Sequence, residues 1–183
     1  MPGKGLRICV PSTIAVTGSG SSASIGKNGS VSFTSAVTLR INNVFSSTYD
    51  NYMMVAQCSV TGAFDLRFKL SKSAGTESST GYGYQYLYTN GTSVTAGRGT
   101  GSFFTMNTGS SGAWGGSTDY IFAPFLSQPT THICVGAPSG SAGPSIYDWA
   151  EIHTVTDSYD GILVLPDSSS PVSGVITIYG WVK

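Results

Sequence analysis

Charge is what this 183-residue chain has least of: 10% of its residues are charged, nine basic against nine acidic, and the formal net charge is zero. A nucleic-acid binder needs a surplus of Lys and Arg to displace counterions from phosphates. No surplus and no basic run exists here, so nucleic acid is excluded as a partner. A disordered acidic or basic tail is excluded by the same balance. Long apolar runs are also missing. The stretch before Pro11 is too short for a signal-peptide core or a membrane span, so the expectation is synthesis in a cytoplasm with no membrane partner. Histidine occurs twice, at His132 and His153, and the three cysteines, Cys9, Cys58 and Cys134, show no CxxC spacing. That number and spacing argue against a disulfide framework and a zinc site and for buried free thiols. Helical periodicity is absent over any stretch of helical length.

What is present is Gly, Ser and Thr, 24, 29 and 20 residues, together about 40% of the chain. Hydrophobic residues make up another 40%, aromatics 11%, enough for a core burying about two-thirds of the unfolded surface. A surface without charge gives little colloidal repulsion, which points to a subunit covered by neighbours. Apolar residues alternate with polar ones. Phe64, Leu66, Phe68 and Leu70 oppose Asp65, Arg67 and Lys69, and Val37, Leu39 and Ile41 oppose Thr38, Arg40 and Asn42. Ile162-Leu163-Val164-Leu165 reads as a strand covered on both faces, and residues 175–182 as a closing strand. Turn-rich clusters at 18–24, 71–81, 108–116, 137–145 and 167–174 separate these runs. The Asn28-Gly29 and Asn90-Gly91 pairs read as hairpin turns rather than glycosylation sites. The pattern predicts about ten strands in an all-β fold, an antiparallel β-sandwich of jelly-roll type. Residues 1–30 would form an N-terminal arm and first hairpin, and residues 31–183 the sandwich domain.

Candidate chemistry is sparse. There is no Gly-x-Ser-x-Gly elbow, and Gly136-Ala137-Pro138-Ser139-Gly140 reads as a loop. Residues 148–160 hold Asp148, Glu151, His153, Asp157 and Asp160, five of the eleven Asp, Glu and His residues. They are read as a polar strand face leading into an Asx-type turn; calcium ligation and an acid/base carboxylate pair are the alternatives. The strings Gly97-Arg98-Gly99-Thr100-Gly101 and Gly81-Tyr82-Gly83 open no helix, so they are flexible loop glycines rather than phosphate loops. No catalytic, cofactor or metal residue is assigned, and the chain is not expected to be an enzyme.

The informative local feature is the stripe Tyr82, Tyr84, Tyr86 and Tyr88. Four phenols on one strand face do not suit a dry core, because each buried hydroxyl needs a partner. A subunit contact, a half-buried face within the chain and a sugar-stacking surface all fit. Trp114, between glycines in a loop, is a further exposed aromatic, while Trp149 and Trp181 are expected to pack. Leu6, Arg7, Ile8 and Val10 are the apolar and basic residues of the arm, suited to attachment.

Residues 37–52, Val-Thr-Leu-Arg-Ile-Asn-Asn-Val-Phe-Ser-Ser-Thr-Tyr-Asp-Asn-Tyr, and the ending Tyr159-Asp160-Gly161-Ile162 through Pro166, then residues 172–181, carry a resemblance. Their order and spacing resemble small all-β structural proteins of tailed-bacteriophage virions, over most of residues 31–183. The resemblance implies a β-sandwich on the virion exterior. It would be a minor tail or tail-tip component, slightly favoured, or a capsid decoration protein, assembled with itself as a symmetric oligomer, often a trimer, and with other virion proteins. A receptor module that binds a host-surface glycan is compatible with it. The arm departs from the shared pattern. Phe45 and Tyr49 are spaced to plug one end of the sandwich, with Asp50 and Asn51 suited to hold the turn. Gly180 would let its neighbours pass close to a crossing backbone.

Overall fold

Strands account for nearly all regular structure in the computed structural model. It describes residues 5–60, 64–90, 93–109, 114–138, 145–167 and 170–183, without the side chains of 60, 64, 90, 107–109, 114, 138 and 145. Fifteen strands follow one another: β1 (Leu6–Ile8), β2 (Thr13–Thr17), β3 (Ser22–Ile25), β4 (Val31–Ala36), β5 (Thr38–Asn42), β6 (Tyr49–Val60), β7 (Phe64–Ser71), β8 (Tyr82–Asn90), β9 (Ser93–Gly101), β10 (Phe104–Gly109), β11 (Trp114–Phe122), β12 (Thr130–Pro138), β13 (Ser145–His153), β14 (Gly161–Pro166) and β15 (Val172–Val182). They exceed the expected ten because the glycine strings are strand. Gly83 lies in β8, and Gly97, Gly99 and Gly101 lie in β9. Likewise 136–138 finish β12 instead of opening a loop, and Trp114 opens β11, its side chain outside the described ones.

The strands form two antiparallel sheets. Ten make the large one, in the order β3-β4-β15-β6-β11-β12-β13-β8-β9 with β1 on β15, and five the small one, β10-β7-β14-β5-β2. This is a sandwich of two antiparallel sheets, as the alternation predicts; the order does not establish a jelly roll. Leu66, Phe68 and Leu70 of β7, Leu39 and Ile41 of β5, and Ile162 and Val164 of β14 meet Tyr52, Met54, Ile121, Ile176 and Ile178 in the core. Leu163 and Leu165, expected to be covered, are half-buried on the outer side. All three cysteines are free and buried. Burial pushes the Cys9 thiol to about 11 and the Cys58 thiol to about 12, so neither is a reactive thiolate at neutral pH.

The two resemblance motifs meet at one end. The Val44 and Phe45 amides donate to the Asp160 carbonyl at 2.8 and 3.1 Å, and the Asp160 carboxylate accepts from the Ser73 amide and hydroxyl at 2.6 and 2.7 Å. Gly161 follows because a Cβ there would sit 2.5 Å from the Ile41 carbonyl oxygen. Phe45 plugs the end, its ring 4.7 Å from that of Tyr52. The turn is held by the Tyr52 hydroxyl, which bonds both the amide and the carbonyl of Ser46. Asp50 does not hold it: its carboxylate pairs with Lys183 at 2.8 Å. Gly180 makes room for the Tyr49 ring rather than for a backbone.

The arm is a strand of the sandwich. Leu6, Arg7 and Ile8 pair with Trp181, Gly180 and Tyr179, and residues up to 30 supply strands to both sheets. Leu6, Ile8 and Val10 stay exposed, Val10 at 60%.

Candidate functional site: an aromatic cleft over a buried carboxylate–imidazole cluster

Ten strands cannot be covered by five. β10, the edge of the small sheet, lies against β11, β12 and β13, and beyond it β8 and β9 overhang. Their inward face becomes one wall of a cleft of about 470 Å³. The tyrosine stripe lies here and is divided by depth. Tyr82 is in the core, its hydroxyl accepting from the Leu70 amide at 3.0 Å. Tyr84, Tyr86 and Tyr88 are half-buried and line the cleft. The register sets Tyr86 beside Trp149 and Tyr88 beside Tyr147. The Trp149 ring is 5.6 Å from Tyr84 and 4.7 Å from Tyr86, and Tyr88 stacks on Tyr147 at 4.6 Å.

The β9 glycines explain how these rings lie. Directly opposite Tyr84 and Tyr86 stand Gly99 and Gly97. A Cβ on either would come within 2.6 Å of the phenol. The rings therefore lean sideways across bare backbone, the way an aromatic covers a strand glycine, and turn their faces to the cleft. The opposite wall is polar. Arg67 Nη2 is 3.2 Å from Asp65 and 3.4 Å from Asp167, and its guanidinium sits 4.0 Å over the Phe103 ring. Burial pushes the Asp65 carboxyl up, and Arg67 offsets part of that. Trp149 Nε1 and Arg67 Nε are buried without a hydrogen-bond partner among the described residues. Aromatic faces opposite a polar wall suit a ligand with apolar faces and a polar rim.

Between the sheets, three adjacent strands aim Asp119, His132 and Glu151 inward. His132 Nε2 lies 3.0 Å from Asp119 Oδ1 and Nδ1 lies 2.6 Å from Glu151 Oε2. All three are buried. Asp119 also accepts from Ser117 Oγ at 2.7 Å, and Glu151 from the Thr105 amide at 2.9 Å. Burial pulls the imidazole down, but its two hydrogen bonds and the charges of Asp119 and Glu151 outweigh this and raise it to about 9. Burial likewise raises Glu151, against the pull of His132. The cluster holds its proton at neutral pH. Both ring nitrogens face carboxylates, so neither is free to serve a nucleophile as base. It is a buried ion cluster that fixes β11, β12, β13 and, through Thr105, β10.

This corrects the reading of residues 148–160 as a polar strand face: Glu151 and His153 point inward and are buried, with Trp149 on the same side. Asp157 pairs with Lys72 at 2.7 Å, and no metal-ligating group of three or more occurs among the described residues. Trp149 and Tyr147 are site residues that sequence reasoning passed over. Their two-residue spacing on one strand was the available signal, but only the β8–β13 pairing puts them next to the tyrosines.

No family model matches the chain, and no curated protein matches it. Among solved structures, one similar chain is the CBM2 module of the evolved Dit of Lactobacillus casei BL23 phage J-1, at 10% identity and a TM-score of 0.26, covering 100% of this chain and 92% of that one. Another is the catalytic domain of PdAgaC, at 8% identity and a TM-score of 0.22, covering 91% and 74%.

Proposed function

We propose that this chain is a non-enzymatic β-sandwich of a tailed-phage virion exterior whose aromatic cleft binds saccharide. One observation carries the binding reading: Tyr84, Tyr86 and Trp149 line one cleft, the two phenols lying across glycines, opposite the polar wall of Asp65 and Arg67. Pyranose rings have apolar C–H faces and a rim of hydroxyls, and that pairing of surfaces is what the cleft offers. The virion setting rests on the resemblance of residues 37–52 and 159–181 to structural proteins of tailed-phage virions. A place at the tail or tail tip is favoured over capsid decoration. Copy number per particle separates them: tens for the tail, hundreds for the shell.

Assembly with itself, as a trimer, is the second part of the proposal. Its support is the outer face of the large sheet, where Leu87, Val94, Ile133, Val135, Ile146 and Ile152 are exposed, Val94 at 70% and Ile146 at 57%. A trough of about 750 Å³ runs across that face. Isolated surface apolar residues are ordinary, but six on one sheet face, interrupted by Asp148 between Val135 and Leu87, suit an interface. Leu6, Ile8 and Val10 are proposed as the contact to the neighbouring virion protein.

A glycan array followed by calorimetry tests the binding. Trp149→Ala should weaken saccharide binding by roughly tenfold or more with the Tm kept within a few degrees. An empty array, with host adsorption unchanged by Trp149→Ala, would remove the binding reading.

A further inference from the structure

We infer that the cleft selects neutral and amino saccharides and turns away anionic ones, with Asp65 and Asp167 as the residues that set this preference. The inference rests on the saccharide reading of the cleft and names its ligand class. Arg67 is the sole cation among the described residues that line the cleft, and its Nη2 and one ring-stacked face are already engaged. Its Nη2 serves both carboxylates, at 3.2 and 3.4 Å, while its flat face is spent on Phe103. The Asp167 carboxylate and the backbone that carries Asp65 are held in place. The Asp65 amide donates to Asp167 Oδ1 at 3.1 Å, and the Asp167 amide donates to the Asp65 carbonyl at 2.9 Å.

Two carboxylates against one guanidinium leave this wall with one negative charge in excess. Behind Thr105, whose amide donates to Glu151 at 2.9 Å, the count recurs out of reach of the cleft itself. Glu151 and Asp119 flank His132, so that buried cluster is negative by one with the imidazole protonated and by two without. The ring faces of Tyr84, Tyr86 and Trp149 add the negative side of their quadrupoles. A uronate or sialic-acid carboxylate entering the cleft meets the excess negative charge of the wall and the negative faces of the rings. A neutral sugar meets none of this, and the ammonium of an amino sugar gains from it.

The experiment compares one chain length in three charge states, cellotriose, the deacetylated chitosan trisaccharide and trigalacturonate, by calorimetry at low and moderate salt. The uronate should bind roughly tenfold more weakly than the better of the other two at low salt, and the gap should shrink as salt rises. Asp167→Asn keeps an acceptor for the Asp65 amide and should narrow the gap roughly threefold. Equal or preferred binding of the uronate overturns the selectivity and leaves the saccharide reading in place. So does a gap that Asp167→Asn leaves unchanged. Binding of none of the three, with an array that also finds no ligand, overturns both.

Discussion

His132 shows most directly how one side chain sets the behaviour of this protein. It is fully buried between two carboxylates, and removing it would leave Asp119 and Glu151 facing each other without compensation. Breaking a buried ion cluster in this way costs about 3–5 kcal/mol, so His132→Ala should lower the denaturant midpoint sharply at neutral pH. The same residue predicts a pH dependence. Its folded value, about 9, lies above the ordinary 6.5, so its contribution is complete below 6.5 and is lost as pH rises through 9. Glu151 is raised too, so the folded state binds more protons than the unfolded one on both counts. Stability should therefore fall across that window by roughly 3 kcal/mol, as followed by urea unfolding at stepped pH. A flat profile in the native protein would show that the cluster does not hold its proton. Trp149 is the other decisive residue, since it touches both stripe tyrosines that lie across glycine.

At the scale of the element, β9 matters for what it lacks. A strand edge reading Ser-Val-Thr-Ala-Gly-Arg-Gly-Thr-Gly packs poorly, and glycine within a strand weakens it. Here the bare backbone is the bed on which Tyr84 and Tyr86 rest. Gly99→Val should push Tyr84 off the strand and weaken saccharide binding by roughly tenfold. Better β propensity would offset the lost contact, leaving stability within about 1 kcal/mol. A variant that binds normally would show that the ring does not need the glycine. β10 has the complementary role. Its edge position defines where the cleft begins, and the bond from the Thr105 amide to Glu151 ties that edge to the buried cluster.

For the whole molecule, the uneven sheets decide the function proposed here. With ten strands over five, one overhang becomes the cleft, while the outer face of the large sheet keeps several exposed apolar side chains among polar ones. If that face is the contact between copies, light scattering should give a trimer. Ile133→Lys, placing a charge where burial would be costly, should then yield monomers that remain folded by circular dichroism. A native monomer at micromolar concentration would remove the assembly proposal. Among the described residues no helix is long and apolar enough to cross a membrane.

Composition and alternation by themselves determined that the chain is all-β, where Leu66, Phe68 and Leu70 or Leu39 and Ile41 point, and that the cysteines are free and buried, because side-chain period two is a local property of an extended chain. The tyrosine stripe was legible as an unusual face, since residues i and i+2 share a side whatever the strand pairs with. Strand register is not local. Whether Gly99 opposes Tyr84, whether Trp149 joins the stripe, and whether Asp119, His132 and Glu151 converge from positions up to 32 residues apart depends on which strands become neighbours. The shortage of charge looked like mere neutrality in the sequence. Only the tertiary structure set two carboxylates against one cation twice over, in the cleft wall with Asp65, Asp167 and Arg67 and in the buried cluster with Asp119, Glu151 and His132, because those partners are brought together from separate segments of the chain.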